Sequence, residues 1–110
     1  MEITSRDYKR VSVVRVVGRV DSVTAPQFED KLKEFIAAGK IHLVVEMDAT
    51  DYLSSAGARA LISAQKTLKP RGGQLALAKP SKRVRDVLQL AGLEPLFQIF
   101  DDTEAAVGAL

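Results

Sequence analysis

His42-Leu43-Val44-Val45-Glu46-Met47, then Asp48-Ala49-Thr50-Asp51-Tyr52-Leu53, then Ser54-Ser55-Ala56-Gly57-Ala58-Arg59-Ala60-Leu61: the fold turns on this stretch. Its first six residues are a short run rich in branched apolar side chains, the pattern of a strand covered on both faces. Its last eight open a longer run that carries Ala58, Leu61, Ile62, Gln65 and Leu68 on one side, which is helical spacing. Asp48–Leu53 is polar and reads as the connection between them. A strand followed by a helix is half of a crossover unit, and a chain of such units builds a mainly parallel sheet.

Working outward, the same alternation extends to both ends. Residues 2–8 and Val11–Val17 read as two strands joined at Lys9-Arg10, the second β-branched almost throughout and ended by Gly18. They predict an antiparallel hairpin at the start. Thr24-Ala25-Pro26-Gln27 has the form of a helix start, with a Thr cap, an early Pro and a Gln at the third helical position. Phe28, Leu32, Phe35 and Ile36 then line one face until Gly39. Beyond the central stretch, Pro70 and Gly72-Gly73 break the second helix. Gln74–Ala78 is a short strand, and Ser81 caps a third helix with Val84, Val87, Leu88 and Ala91 inward, stopped by Gly92. Phe97–Phe100 fits a last edge strand, and Asp101-Asp102-Thr103-Glu104 a capping box for a terminal helix. The expected architecture is α/β: a mixed, mainly parallel sheet of about 4–5 strands with about four helices.

Composition narrows the function classes. A chain of 110 residues fits one domain, expected over residues 1–110 with no fused transporter or sensor module. At 46% hydrophobic it can fill a core without disulfides, and with no cysteine it offers no thiolate chemistry. No secretory leader opens it, and its apolar runs fall far short of the ~20 residues of a membrane span, so a cytoplasmic location is expected. The net charge of +2 is small. Lys66, Lys69, Arg71, Lys79, Lys82, Arg83 and Arg85 have no aromatic residue among them, so they read as solvated faces and predict no DNA binding.

No catalytic constellation stands out. Gly72-Gly73 precedes a strand instead of opening a helix, unlike a phosphate-binding loop. The one histidine, His42, begins an apolar strand with no nucleophile placed beside it. Asp21, Asp48 and Asp51 read as caps and turns, not metal ligands, so no enzyme activity, metal or cofactor is expected. Ser54 and Ser55 are different. They stand where a loop becomes a helix, with Ala56 and Gly57 beside them. Either can be a plain N-cap. A serine there is also accessible to a kinase, and a phosphate on it would meet the positive end of the helix dipole.

Tyr52–Leu61 resembles the signature of the STAS domain, found in sulfate transporters and anti-sigma factor antagonists. Gly18-Arg19-Val20-Asp21 is similar to that family's turn after the second strand. Val44–Asp48, Gly72-Gly73-Gln74-Leu75 and Val87–Leu93 resemble further landmarks, so the likeness spans nearly the whole chain. It implies an anti-sigma factor antagonist, a ligand and not a catalyst. In the unphosphorylated form such a protein binds an anti-sigma factor with serine kinase activity and releases a sigma factor. Phosphorylation ends the binding, and a phosphoserine phosphatase restores it. The resemblance assigns the phosphoacceptor to Ser55, with Ser54 as competitor. It places the partner surface at Asp21, Ser22, Thr24, Ser54, Ala56, Gly57 and Arg59, needs no cofactor, and leaves room for a weak homodimer. Many antagonists carry Asp where Ser54 stands, Leu at Ala58 and Gly at Arg59. Two alternatives remain: a constitutive STAS scaffold or ligand-binding accessory module, and a small flavodoxin-like or nucleotide-binding enzyme.

Overall fold

A computed structural model describes all 110 residues. Strands β1 (Glu2–Tyr8) and β2 (Val11–Val20) form the hairpin, and α1 (Ala25–Ala37) follows. Next come β3 (His42–Glu46), β4 (Thr50–Leu53) and α2 (Ser55–Leu68). After a short 3-10 turn come β5 (Gln74–Ala78), α3 (Lys82–Leu90), a second 3-10 turn, β6 (Gln98–Phe100) and α4 (Thr103–Ala109). The strands lie in the order β1-β2-β3-β5-β6, and β4 pairs with the far end of β2. Only the β1–β2 pair is antiparallel.

The sheet has six strands, one more than the sequence pattern indicates. The extra one is β4, inside the stretch read as a loop. Its polar Thr50 is buried because its hydroxyl donates to the Val16 carbonyl at 2.8 Å. β2 also continues past Gly18 to Val20. Gly18 sits at φ +99°, and the pairing register shifts between Gly18 and Arg19, so the glycine bends the strand without ending it.

Alternation along the strands separates two cores. Val14, Val16, Val20, Leu43, Val45, Leu75 and Leu77 point to one face, where Phe28, Leu32 and Ile36 of α1, Leu61 and Leu68 of α2, and Val84 and Leu88 of α3 cover them. Val11, Val13, Val44 and Ala78 point to the other, under Ala106 of α4. The helical periodicity read in the sequence matches this packing except at Ala91. That residue follows the last turn of α3 as its C-cap and is exposed. Gln65 on the apolar stripe of α2 is buried, and its amide clamps two segments: Oε1 accepts from the Leu75 N–H at 2.8 Å, and Nε2 donates to the Leu96 carbonyl at 3.1 Å. At the terminal helix the capping box is reduced to one bond, from the Ala105 N–H to the Asp102 carboxylate.

One charge lies in this apolar frame. Glu46, only 3% exposed, ends β3 and accepts hydrogen bonds from Arg6 of β1, Arg15 of β2 and Thr103 of α4. Burial alone would raise its pKa. The bonds from Thr103, Arg6 and Arg15 outweigh burial and hold the carboxyl at about 2. Because the folded value lies below the unfolded one, the stabilisation is complete above about pH 5 and is lost as pH falls toward 2. Arg6 and Arg15 are partly solvated, which screens the pair. The network's contribution is therefore roughly 2 kcal/mol. Glu46→Gln should lower the stability by about that amount at neutral pH and by little near pH 2. Urea unfolding at several pH values measures both; an equal loss at every pH would mean that packing, not charge, is at stake.

Candidate functional site

The site begins with the pairing of β2 and β4. Val20 lies opposite Leu53 in parallel register, and the Ser54 N–H continues the ladder by donating to the Val20 carbonyl at 2.8 Å. The chain then turns directly into α2. Ser54 is the N-cap in extended conformation, and its hydroxyl oxygen accepts from the Gly57 N–H at 3.1 Å. Ser55 is the first residue of the helix and is exposed. The two serines are thus distinguished by geometry. Ser54 holds the helix start, and Ser55 presents its side chain outward.

Small residues let the helix start lie so close to the strand ends. A Cβ on Gly57 would come within 2.7 Å of both Leu53 Cδ1 and Val20 Cγ1. Ala58 and Ala60 are buried, Ala60 on the side that faces α1, and Ala56 is half-buried. From the other side, the Ser81 hydroxyl donates to the Thr50 carbonyl at 2.6 Å while accepting from the Val84 N–H, tying β4 to the start of α3.

Residues 21–24 close the site beside Ser54. The sequence suggests Thr24 as a side-chain cap, but its hydroxyl caps nothing in α1; it donates to the Arg19 carbonyl and accepts from the Asp21 N–H. Asp21 organises the turn instead, its Oδ1 accepting from the N–H groups of Val23 and Thr24, both at 3.0 Å. The Thr24 amide bond, chiefly, holds the Asp21 carboxyl below the ordinary carboxylate value, with help from Val23 and the nearby Arg19. Arg19 also stacks over the Tyr52 ring at 4.3 Å. This tight turn pushes Ser22 and Val23 into solvent, Val23 being 84% exposed.

An open groove of about 720 Å³ adjoins the turn and runs between α1 and α2. Ser22, Glu29, Ala56, Arg59 and Lys66 are among its walls. Of the residues singled out in the sequence, Asp21, Ser22, Thr24, Ser54, Ser55, Ala56, Gly57 and Arg59 all lie on these two segments. Ser22, Ser55 and Arg59 are exposed, Ala56 is half-buried, and Asp21, Thr24, Ser54 and Gly57 shape the surface from beneath. Sequence reading passed over Val23, Arg19 and Tyr52. A lone valine between Asp-Ser and Thr in a turn was the available signal, since an apolar residue there has no core to enter.

Other candidates do not converge. Asp21, Asp48 and Asp51 form no ligand cluster; Asp48 pairs with Arg15 and Lys79. His42 stands at the start of β3, and the β-strand C-termini that shape the site lie at the opposite end. Lys82 and Arg85 pair with Asp86 and Asp101. No helix is long and apolar enough to cross a membrane.

Comparisons with known proteins agree on one family. The model of the STAS domain matches residues 2–106. BtrV of Bordetella bronchiseptica is 29% identical over 109 residues, covering 99% of this chain and 94% of that protein. The crystal structure of an anti-sigma factor antagonist from Mycobacterium paratuberculosis superposes with a TM-score of 0.89 at 27% identity, over 98% of this chain and 92% of that one. SpoIIAA, at 22% identity, shares the fold. Its unphosphorylated form gives a TM-score of 0.83 over 96% and 93% of the two chains. The phosphorylated form, from Bacillus, gives 0.76 over 98% of each.

The division between the serines can be tested by stability. Ser54→Ala removes the cap and should cost about 1 kcal/mol, whereas Ser55→Ala should change little. Gly57→Ala forces a methyl against Leu53 and Val20 and should cost roughly 1–3 kcal/mol. Thermal melts of the three variants check this order; a larger loss for Ser55→Ala than for Ser54→Ala would reverse the assignment.

Proposed function

Because the chain belongs to the STAS domain family, we propose that it is an anti-sigma factor antagonist whose binding is switched off by phosphorylation at Ser55. The observation that carries this reading is the contrast between the adjacent serines. Ser55 stands exposed at the first position of α2 while Ser54 is engaged as its cap. The names of its relatives support the partner class, since the similar Mycobacterium paratuberculosis protein is an anti-sigma factor antagonist. SpoIIAA, which shares the fold, is described in unphosphorylated and phosphorylated forms.

In the unmodified protein, Ser22, Val23 and Ser55 stand exposed beside the groove that Ser22, Ala56 and Arg59 help to line, with Val23 as an exposed apolar point. An anti-sigma factor closes over this surface, and the sigma factor it held is released. Its serine kinase activity transfers the γ-phosphoryl of ATP to Ser55 Oγ, with ADP and the hydroxyl proton leaving. The ester adds about 1.5 to 2 negative charges. Within the free domain these lie at the positive end of the α2 dipole and cost the fold little. Under a closed interface the same charge must be desolvated. That costs on the order of 2–5 kcal/mol, which weakens binding by tens- to thousands-fold. A phosphoserine phosphatase restores the surface by hydrolysing the ester.

Asp21 acts at least through its turn, since its carboxylate holds the N–H groups of Val23 and Thr24. Asp21→Ala should impair both binding and phosphorylation with an unchanged circular dichroism spectrum, and Asp21→Asn, which keeps an acceptor at Oδ1, should retain most of each. Val23→Asp should weaken binding without loss of stability, because the side chain is already in water.

The decisive experiment is calorimetric titration of candidate anti-sigma factors with wild type, Ser55→Ala and Ser55→Asp, beside intact mass after incubation with the partner and ATP. Ser55→Ala should bind and gain no phosphate, and Ser55→Asp should bind poorly while folded. Equal affinity for wild type and Ser55→Asp would make the protein a constitutive scaffold. Phosphate on Ser54 would move the switch by one residue.

A further inference from the structure

We propose that the outer edge of β1 is a self-association surface, on which a second copy of this chain pairs antiparallel about a two-fold axis passing beside Thr4. β1 and β6 are the two edges of the sheet, and β6 has only three residues. β1 has seven, in unbroken register with β2 from Glu2↔Val17 to Tyr8↔Val11, and six of them are exposed. It contains no proline or bulge, two of the devices that blunt such an edge, and the charges it does carry, Glu2, Arg6 and Asp7, are of both signs and so can pair with a second copy.

The hairpin fixes which backbone groups the edge offers. Tyr8 and Val11 close a two-residue turn at Lys9-Arg10, and the residues that close such a turn exchange both of their backbone hydrogen bonds. Alternation then commits Arg6, Thr4 and Glu2 to β2. It turns the N–H and C=O groups of Ile3, Ser5 and Asp7 outward, toward a strand that is absent from the monomer.

Three symmetric registers use those groups over five residues or more, and an axis beside Arg6 is disfavoured because it sets Arg6 opposite its own copy. An axis beside Ser5 puts Ile3 opposite Asp7 of the second copy, an apolar group against a charge. An axis beside Thr4 puts Ile3 opposite Ser5, Thr4 opposite its own copy, and Glu2 opposite Arg6, the last pair occurring twice by symmetry. Charge complementarity selects the Thr4 axis. Arg6 can make the added contact, because only its Nε and one terminal nitrogen are engaged, with the Tyr8 hydroxyl and Glu46, and a guanidinium has five N–H donors. The pairing is weak and concentration-dependent, since one edge strand buries less than the ~1,200 Å² of a standard interface. Ser55 is on neither edge, so the inference does not rest on the proposed switch.

The absence of native cysteine makes the register directly testable. Opposed Thr4 residues form a non-hydrogen-bonded pair with Cα atoms about 4.5 Å apart, within disulfide reach. Thr4→Cys should therefore cross-link under mild oxidation at high protein concentration, and faster than Ser5→Cys. In sedimentation equilibrium up to about 1 mM, the wild-type mass should rise from 12.0 kDa toward twice that value. Glu2→Arg, which faces Arg6 with a like charge, should weaken association roughly ten-fold. Ser5→Pro removes an outward N–H that the monomer does not use and should leave a folded monomer. A wild type that stays at 12.0 kDa with no cross-link through Thr4→Cys overturns the proposal. So does faster cross-linking of Ser5→Cys, or association undiminished by Ser5→Pro.

Discussion

The bond from the Ser54 N–H to the Val20 carbonyl joins the sheet to the site, and the rest of the structure is arranged so that it can form. It requires β2 to run past its partnership with β3 and take a second parallel partner, β4, at its far end. That continuation needs Gly18 at positive φ, where the register shifts and Asp51 falls out of the pairing into solvent. A side chain at residue 18 would be strained in that conformation, and β2 would end where its run of valines ends. Without the continuation there is no β4, no defined start for α2, and nothing to set residues 21–24 beside Ser54.

Packing then converts this register into a rigid presentation. Gly57 brings the first turn of α2 down onto Val20 and Leu53, and Ala58, Leu61 and Leu68 hold the rest of the helix in the larger core. On the opposite face the sheet is covered more thinly, by one short helix. There Glu46 replaces bulk with bonding, gathering β1, β2 and α4 around one carboxylate. A buried charge is tolerable only when so surrounded. The two faces are therefore held by different means, area under α1, α2 and α3, and hydrogen bonding under α4.

This division decides what could be read from the sequence. Elements that bury a stripe of area announce themselves by period: α1, the inward side of α2, and β2, β3 and β5 follow the apolar spacing closely. Elements held by hydrogen bonds do not. β4 is four residues long and carries Thr50 and Asp51, with no alternation long enough to detect. Glu46 looks like the polar end of a strand until Arg6, Arg15 and Thr103, 40, 31 and 57 positions away, are seen to meet it. Thr24 has a good capping sequence, yet its backbone is already helical instead of extended, and its hydroxyl is engaged by the Arg19 carbonyl and the Asp21 N–H outside the helix. At the site, the neighbourhood of the two serines was legible, because small residues after a loop mark a tight helix start. Which serine caps was not, since both are chemically equal and only the extended conformation of Ser54 separates them.

The same rigidity limits how a modification at Ser55 can act. α2 cannot slide or tilt to report a new charge, because Gly57 is already in contact with Val20 and Leu53 and its neighbours Ala58, Ala60 and Leu61 are buried. Nor does a phosphate there need a structural response: it lies at a helix N-terminus, where backbone N–H groups and the dipole already favour an anion. A modification that neither moves the helix nor strains it leaves one way to carry information, a change in the surface itself. Under the proposed phosphorylation of Ser55, regulation would be local, steric and electrostatic, read by whatever closes over Ser55 without a conformational change within the domain.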